Sequence, residues 1–214
     1  MIHQRKRVSY SASNSYETLN ELTEQTKNIW FTIHGMGFLS RFFLEPFKQL
    51  NTTENYFIAP QAPSKYYLKN DFKYVGASWL TKEDTSYEME NNLNYLDEVL
   101  KSESLPKPIN SIFFGFSQGV SIVTRYVCKK KVCPNHLILY AGSIPNELTP
   151  EDFDHLDYEQ TKIKLVCGNK DHFLTPERLA NELEKSDQLF QGKAEFVKFS
   201  GGHEILPDIL MNLI

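Results

Sequence analysis

No stretch of this sequence approaches the ~20 consecutive apolar residues that a helix needs to cross a bilayer, so no integral membrane association is expected. Cysteine is scarce. Cys128, Cys133 and Cys167 cannot all pair within one chain and have no ligand-like spacing to nearby histidines. Free thiols in a reducing, cytoplasmic compartment are the expectation, with no metal and no organic cofactor. Basic residues are not in excess: 23 Lys and Arg stand against 27 Asp and Glu, a net charge of -4. That balance gives no electrostatic reason to expect nucleic acid as a partner. The opening Met1-Ile2-His3-Gln4-Arg5-Lys6-Arg7 has the charge of a leader's first segment. Val8-Ser9-Tyr10-Ser11-Ala12-Ser13-Asn14 then supplies no apolar stretch behind it, so secretion is not expected. Repeats, low-complexity tracts and interdomain linkers are absent too, and residues 1–214 read as one domain.

What the chain does have is organised around Ser111-Ile112-Phe113-Phe114-Gly115-Phe116-Ser117-Gln118-Gly119-Val120. An apolar run ends in Gly-x-Ser-x-Gly and passes into a helical pattern from Ser117 to about Cys128. A strand that reverses into a helix in one tight turn lifts the serine hydroxyl clear of the sheet. Gly115 and Gly119 are small because a side chain there would meet the neighbouring strand and helix. On its own the pattern is also compatible with a Gly/Ser loop, so partners must come from elsewhere in the chain.

Strand and helix patterns alternate along the chain, which predicts a mostly parallel sheet covered by helices on both faces. An edge strand is expected near Arg7 to Ser11, a buried strand over Asn28 to His34 and a helix over Arg41 to Gln49. A second buried strand over Tyr56 to Ala59 is closed by Pro60. Residues 60–84 form a long aromatic-rich excursion of the kind that tends to be functional. Thr85-x-x-Glu88 reads as a capping box before a helix with Met89, Leu93, Leu96 and Leu100 inward. Later strands are expected at 136–140, 163–168 and 195–199, with Thr175-Pro176 opening a helix between the last two.

Ligands of such a sheet sit beyond the carboxyl ends of its strands. His34-Gly35-Met36-Gly37, Ser117, Asp171 and His203 all fall at such ends, in the chain order expected of an α/β-hydrolase. The chemistry assigns roles. A serine hydroxyl needs a base to become a nucleophile, and His203 suits that task, with Asp171 fixing its tautomer. The backbone N–H groups of Met36 and Gln118 would face the oxyanion of a tetrahedral intermediate. Cys167 and Ser143 are the next nucleophile candidates.

The chain resembles the phospholipase/carboxylesterase branch of the α/β-hydrolases, which includes the acyl-protein thioesterases. The resemblance rests on His34-Gly35-Met36-Gly37, Ala59-Pro60-x-Ala62-Pro63, Ser78-Trp79, Gly115-Phe116-Ser117-Gln118-Gly119, Gly168-x-x-Asp171 and Gly202-His203. It implies a serine hydrolase that acts on small-molecule esters or thioesters through an acyl-enzyme. Phe38, Trp79 and Phe173 are the candidate substrate-contacting residues, Trp79 being nearly as well read as core. His34 is expected to brace its loop rather than titrate, and His172 to be a surface residue. Asp152, Asp154 and Asp157 read as a solvated acidic loop. Val120 departs from the branch, which commonly has glycine there. Only about 20 residues separate the strand ending at Tyr140 from the next, too few for a separate cap domain. A peptidase, an acyltransferase or a ligand-binding protein on the same frame stays open on sequence grounds.

Overall fold

The computed structural model describes residues 3–106 and 109–214. Met1 and Ile2 of the basic opening lie outside the described residues. Five strands of the main sheet are buried largely because their sequences are apolar on both sides, as the interior of a parallel sheet requires. In chain order the elements are β1 (Tyr16–Leu19), β2 (Asn28–Ile33), α1 (Ser40–Phe43), a 3-10 turn (Glu45–Gln49) and β3 (Asn55–Pro60). Then follow β4 (Ser64–Tyr67), β5 (Val75–Ser78), α2 (Thr85–Ser102), β6 (Asn110–Phe116) and α3 (Gln118–Lys130). The chain closes with β7 (His136–Tyr140), a 3-10 turn (Pro150–Phe153), β8 (Lys162–Gly168), α4 (Pro176–Leu189), β9 (Ala194–Phe199) and α5 (Pro207–Leu210).

The main sheet has the order β1-β3-β2-β6-β7-β8-β9, and every pairing in it is parallel except β1 with β3. Alternation along the strands sorts side chains onto two faces. Ile29, Phe31, Ile33 and Phe113 join Leu93 and Leu96 of α2, Val123 and Val127 of α3, and Leu189 of α4. Trp30, Phe57, Ile112, Phe114 and Phe116 join Phe43 of α1, Phe47 of the 3-10 turn and Leu210 of α5. Helices therefore cover both faces, the α/β-hydrolase architecture. Between β7 and β8 the chain runs as loop and one 3-10 turn, with Ile144, Leu148, Phe153 and Leu156 buried. No cap domain is inserted there.

Three expectations need correction. Arg7 to Ser11 form no strand; the edge strand is β1, paired antiparallel with Phe57 to Pro60. The preceding arm is drawn away by charge: Arg5 bonds Glu83 and Asp84, and Arg7 bonds Asp84 while lying 4.2 Å over the Tyr87 ring. The helix expected over 41–49 breaks into α1 and a 3-10 turn because Pro46 has no N–H to continue it. Thr85 and Glu88 form no capping box. Asp84 is the N-cap, with φ 51, and the Thr85 hydroxyl donates backward to Thr81 O at 2.9 Å. Within the excursion, Ser64–Tyr67 and Val75–Ser78 pair as an antiparallel hairpin, which its tyrosines favour. By contrast, Thr175 caps α4 as expected, its hydroxyl accepting the Arg178 N–H at 3.2 Å.

Candidate active site

Ser117 sits between β6 and α3 with φ 54 and ψ -117, a conformation costly for any residue with a Cβ. It persists because its surroundings leave no alternative. The Ser117 N–H donates to Tyr140 O at 2.9 Å, and the helix begins at once behind it. A Cβ on Gly119 would lie 2.0 Å from Ile33 O, so the helix can approach β2 only with glycine there. Val120 is fully buried among the core side chains on the α2–α3 face, so its bulk is spent inside the molecule.

The geometry brings Ser117, His203 and Asp171 together from three strand ends. His203 Nε2 is 3.0 Å from Ser117 Oγ, and His203 Nδ1 is 2.7 Å from Asp171 Oδ2. The Asp171 side chain is shut off from solvent, and its Oδ1 accepts the Phe173 N–H at 2.9 Å. Carboxylate, imidazole and hydroxyl thus form one continuous hydrogen-bonded chain. Cys167 is buried just inside β8, its thiol pushed up by burial and then by the Asp171 carboxylate. That disfavours the thiolate a nucleophile needs. Ser143 Oγ accepts from Arg178 at 2.9 Å and has no described imidazole on it.

The loop Gly35–Gly37 stands against the serine: a Cβ on Gly35 would lie 3.0 Å from Ser117 Cβ. The Gly37 and Phe38 N–H groups are already committed, to Ala77 O at 2.8 Å and Gly35 O at 3.3 Å. Among the described residues nothing accepts the Met36 N–H, nor that of Gln118, the first residue of α3. Two donors without partners flank the serine.

His34 is wholly buried beneath this loop. Its Nδ1 donates to Gly35 O at 2.7 Å and its Nε2 accepts the Ala62 N–H at 3.0 Å, which assigns the tautomer. The Ala59-Pro60-x-Ala62-Pro63 string therefore supplies the donor that holds His34. Burial pulls His34 from 6.5 down to about 4, against the opposing pull of the Gly35 carbonyl. It stays neutral across ordinary assay conditions, as expected of a brace. The unfolded chain takes up a proton on this imidazole below about pH 6.5 while the native chain refuses it until about 4. Native stability is thus complete above pH 6.5 and is lost as pH falls toward 4. Between pH 7 and 4.5 this amounts to roughly 2–3 kcal/mol. In urea unfolding, His34→Gln should show a smaller loss over that interval by about that amount. Equal losses in the two proteins would mean that His34 does not carry the dependence.

Of the three expected substrate contacts, two are at the surface and one is not. Phe38 is partly exposed beside Met36, its ring edge-on to Phe116 at 5.8 Å. Phe173 is 51 % exposed beside His203. Trp79 is only 1 % exposed and is corrected to a brace: its indole N–H donates to His34 O at 2.9 Å, under the loop. His172 is exposed and packs against Phe173, the ring centroids 4.0 Å apart and the planes inclined by 39°.

The Gln118 side chain was missed. Its Oε1 accepts the Trp79 N–H at 2.9 Å and its Nε2 donates to Leu80 O at 2.8 Å, tying the end of the excursion to the helix behind the serine. Asn92 of α2 completes the tie by donating to Trp79 O at 2.7 Å. A glutamine directly after the serine is the sequence signal for this tie, whereas the sequence reading uses only its backbone N–H.

A family model described as phospholipase/carboxylesterase matches residues 14–214. Acyl-protein thioesterase 2 from Zea mays is 16% identical with a TM-score of 0.68, the match covering 94% of this chain and 96% of that one. A phospholipase/carboxylesterase from Dyadobacter fermentans is 20% identical with a TM-score of 0.65, covering 95% and 96%. An uncharacterised hydrolase of Schizosaccharomyces pombe is 22% identical, over 74% of this chain and 80% of that protein. No helix among the described residues is long and apolar enough to cross a membrane.

Proposed function

The chain belongs to the phospholipase/carboxylesterase family, and we propose that it is a serine hydrolase cleaving small-molecule carboxylic esters or thioesters through an acyl-enzyme. One observation carries the reading: the unbroken chain from Asp171 through His203 to Ser117, with bonds of 2.7 and 3.0 Å. In the reaction, His203 Nε2 takes the Ser117 proton as Oγ attacks the acyl carbon. The carbonyl π bond opens and the negative charge goes to the oxygen. The Met36 and Gln118 N–H groups receive that oxyanion; their lack of other acceptors supports the assignment. Asp171 accepts the Nδ1 proton and stabilises the imidazolium without becoming protonated. The bond to the leaving alkoxide or thiolate then breaks, and the leaving group departs with the Nε2 proton. Water repeats the sequence on the acyl-enzyme, releasing the carboxylic acid and restoring Ser117.

Phe38 is the proposed apolar contact for the substrate, since it lies exposed on the loop that carries Met36. The chain is read as one domain acting in a reducing, cytoplasmic setting, which its three free thiols favour. A fluorophosphonate probe tests the proposal: it should modify the native protein at Ser117 and at no other serine. A folded protein that the probe leaves untouched would overturn it.

A further inference from the structure

His203 stands on a stretch with neither helix nor strand, between β9 and α5. No regular backbone sets its ring, and single hydrogen bonds at its two nitrogens leave the imidazole able to tilt. Two phenyl rings remove the freedom. Phe116 lies at 5.0 Å with its plane inclined by 40°, and Phe173 lies at 4.8 Å, edge-on at 71°. Phe116 is fixed by β6 and fully buried. Phe173 is half in water, so core packing does not account for its place.

What holds Phe173 is its backbone. Its N–H donates to Asp171 Oδ1 at 2.9 Å, and its carbonyl accepts from Arg178 Nη1 at 2.9 Å. Arg178 Nη2 meanwhile donates to Ser143 Oγ at 2.9 Å, anchoring the loop from the far side. The residue that touches the imidazole is thus bonded to the same carboxylate as the imidazole. Any shift of Phe173 moves ring and carboxylate together.

We propose that Phe173 is a positioning residue for His203: with Phe116 it clamps the imidazole between Asp171 and Ser117, and it does so in preference to binding substrate. The proposal rests on the Ser117–His203–Asp171 reading above. A clamp of this kind acts on the chemical step. The imidazole must keep its Nδ1 bond while Nε2 turns from Ser117 Oγ to the leaving group, and a loosened ring spends less time at either position. A substrate wall would act on binding instead, and more strongly for longer acyl chains.

The test uses Phe173→Leu and Phe173→Tyr, with kcat and KM measured on p-nitrophenyl acetate and butyrate and thermal melts to show that both variants fold. Phe173→Leu should lower kcat roughly tenfold to a hundredfold for both esters, with KM moved by less than about twofold. Phe173→Tyr keeps the ring and should restore wild-type kcat. A raised KM with kcat intact, growing from acetate to butyrate, would make Phe173 a substrate wall and overturn the proposal. So would a Phe173→Leu enzyme with unchanged constants. A folded wild-type protein with no turnover and no probe labelling would instead sink the underlying triad reading, and the clamp with it.

Discussion

Ser117→Ala should give a folded protein that no longer hydrolyses p-nitrophenyl acetate, with kcat lower by on the order of 10⁶. Alanine keeps the Cβ that the turn already accommodates, and the bond from the residue 117 N–H to Tyr140 O does not involve the side chain. What is lost is the oxygen that faces His203 Nε2 at 3.0 Å. Because the hydroxyl is the atom that would become acylated, the fluorophosphonate label should vanish together with turnover. Retention of more than a few per cent of activity would move the nucleophile elsewhere. Ser143 would be the next residue to test, since Cys167 is buried with its thiol pushed up.

Asp171→Asn should cost on the order of 10⁴ in kcat with little loss of fold. The two oxygens of Asp171 both accept, one from Phe173 N–H and one from His203 Nδ1. An amide cannot do both. If its oxygen stays with Phe173, its NH₂ faces Nδ1 and drives the imidazole proton onto Nε2, where Ser117 needs an acceptor. If the amide turns round, its NH₂ confronts the Phe173 N–H. Asp154→Asn and Asp157→Asn should be nearly silent, as expected for exposed residues on the loop before β8. Comparing kcat among the three variants decides the matter, and the reverse ranking would show that the wrong carboxylate had been assigned.

The elbow was legible in the sequence because its determinants are local: two glycines, a serine and a change of period from strand to helix within ten residues. Asp171 and His203 were legible by position, since a strand end can be read from an apolar run and its following glycine. Three of the misreadings come from competing contacts, two of them made far along the chain. Arg7 to Ser11 have a composition that would suit a strand, but Asp84 and Tyr87 hold the arm. Thr85 and Glu88 have the spacing of a capping box, yet the hydroxyl finds Thr81 O first. Trp79 lies in an aromatic excursion that suggested a wall. Its indole instead meets a carbonyl 45 positions earlier, and no neighbour in sequence announces that bond. The clamp on His203 was invisible for the same reason, being assembled from β6, the Asp171 loop and α4.

The φ of 54 at Ser117 bears on how this protein responds to selection. Glycine adopts that backbone without penalty, so Ser117→Gly should raise the melting point even as it removes the nucleophile. Relief of about 1 kcal/mol would follow from ending the strain, set against glycine's greater freedom in the unfolded chain. A library screened for heat resistance alone would therefore enrich the dead variant, and one screened for turnover would discard it. The serine is kept against the grain of its own stability, and a melting curve of Ser117→Gly below that of Ser117→Ala would show that no such tension exists.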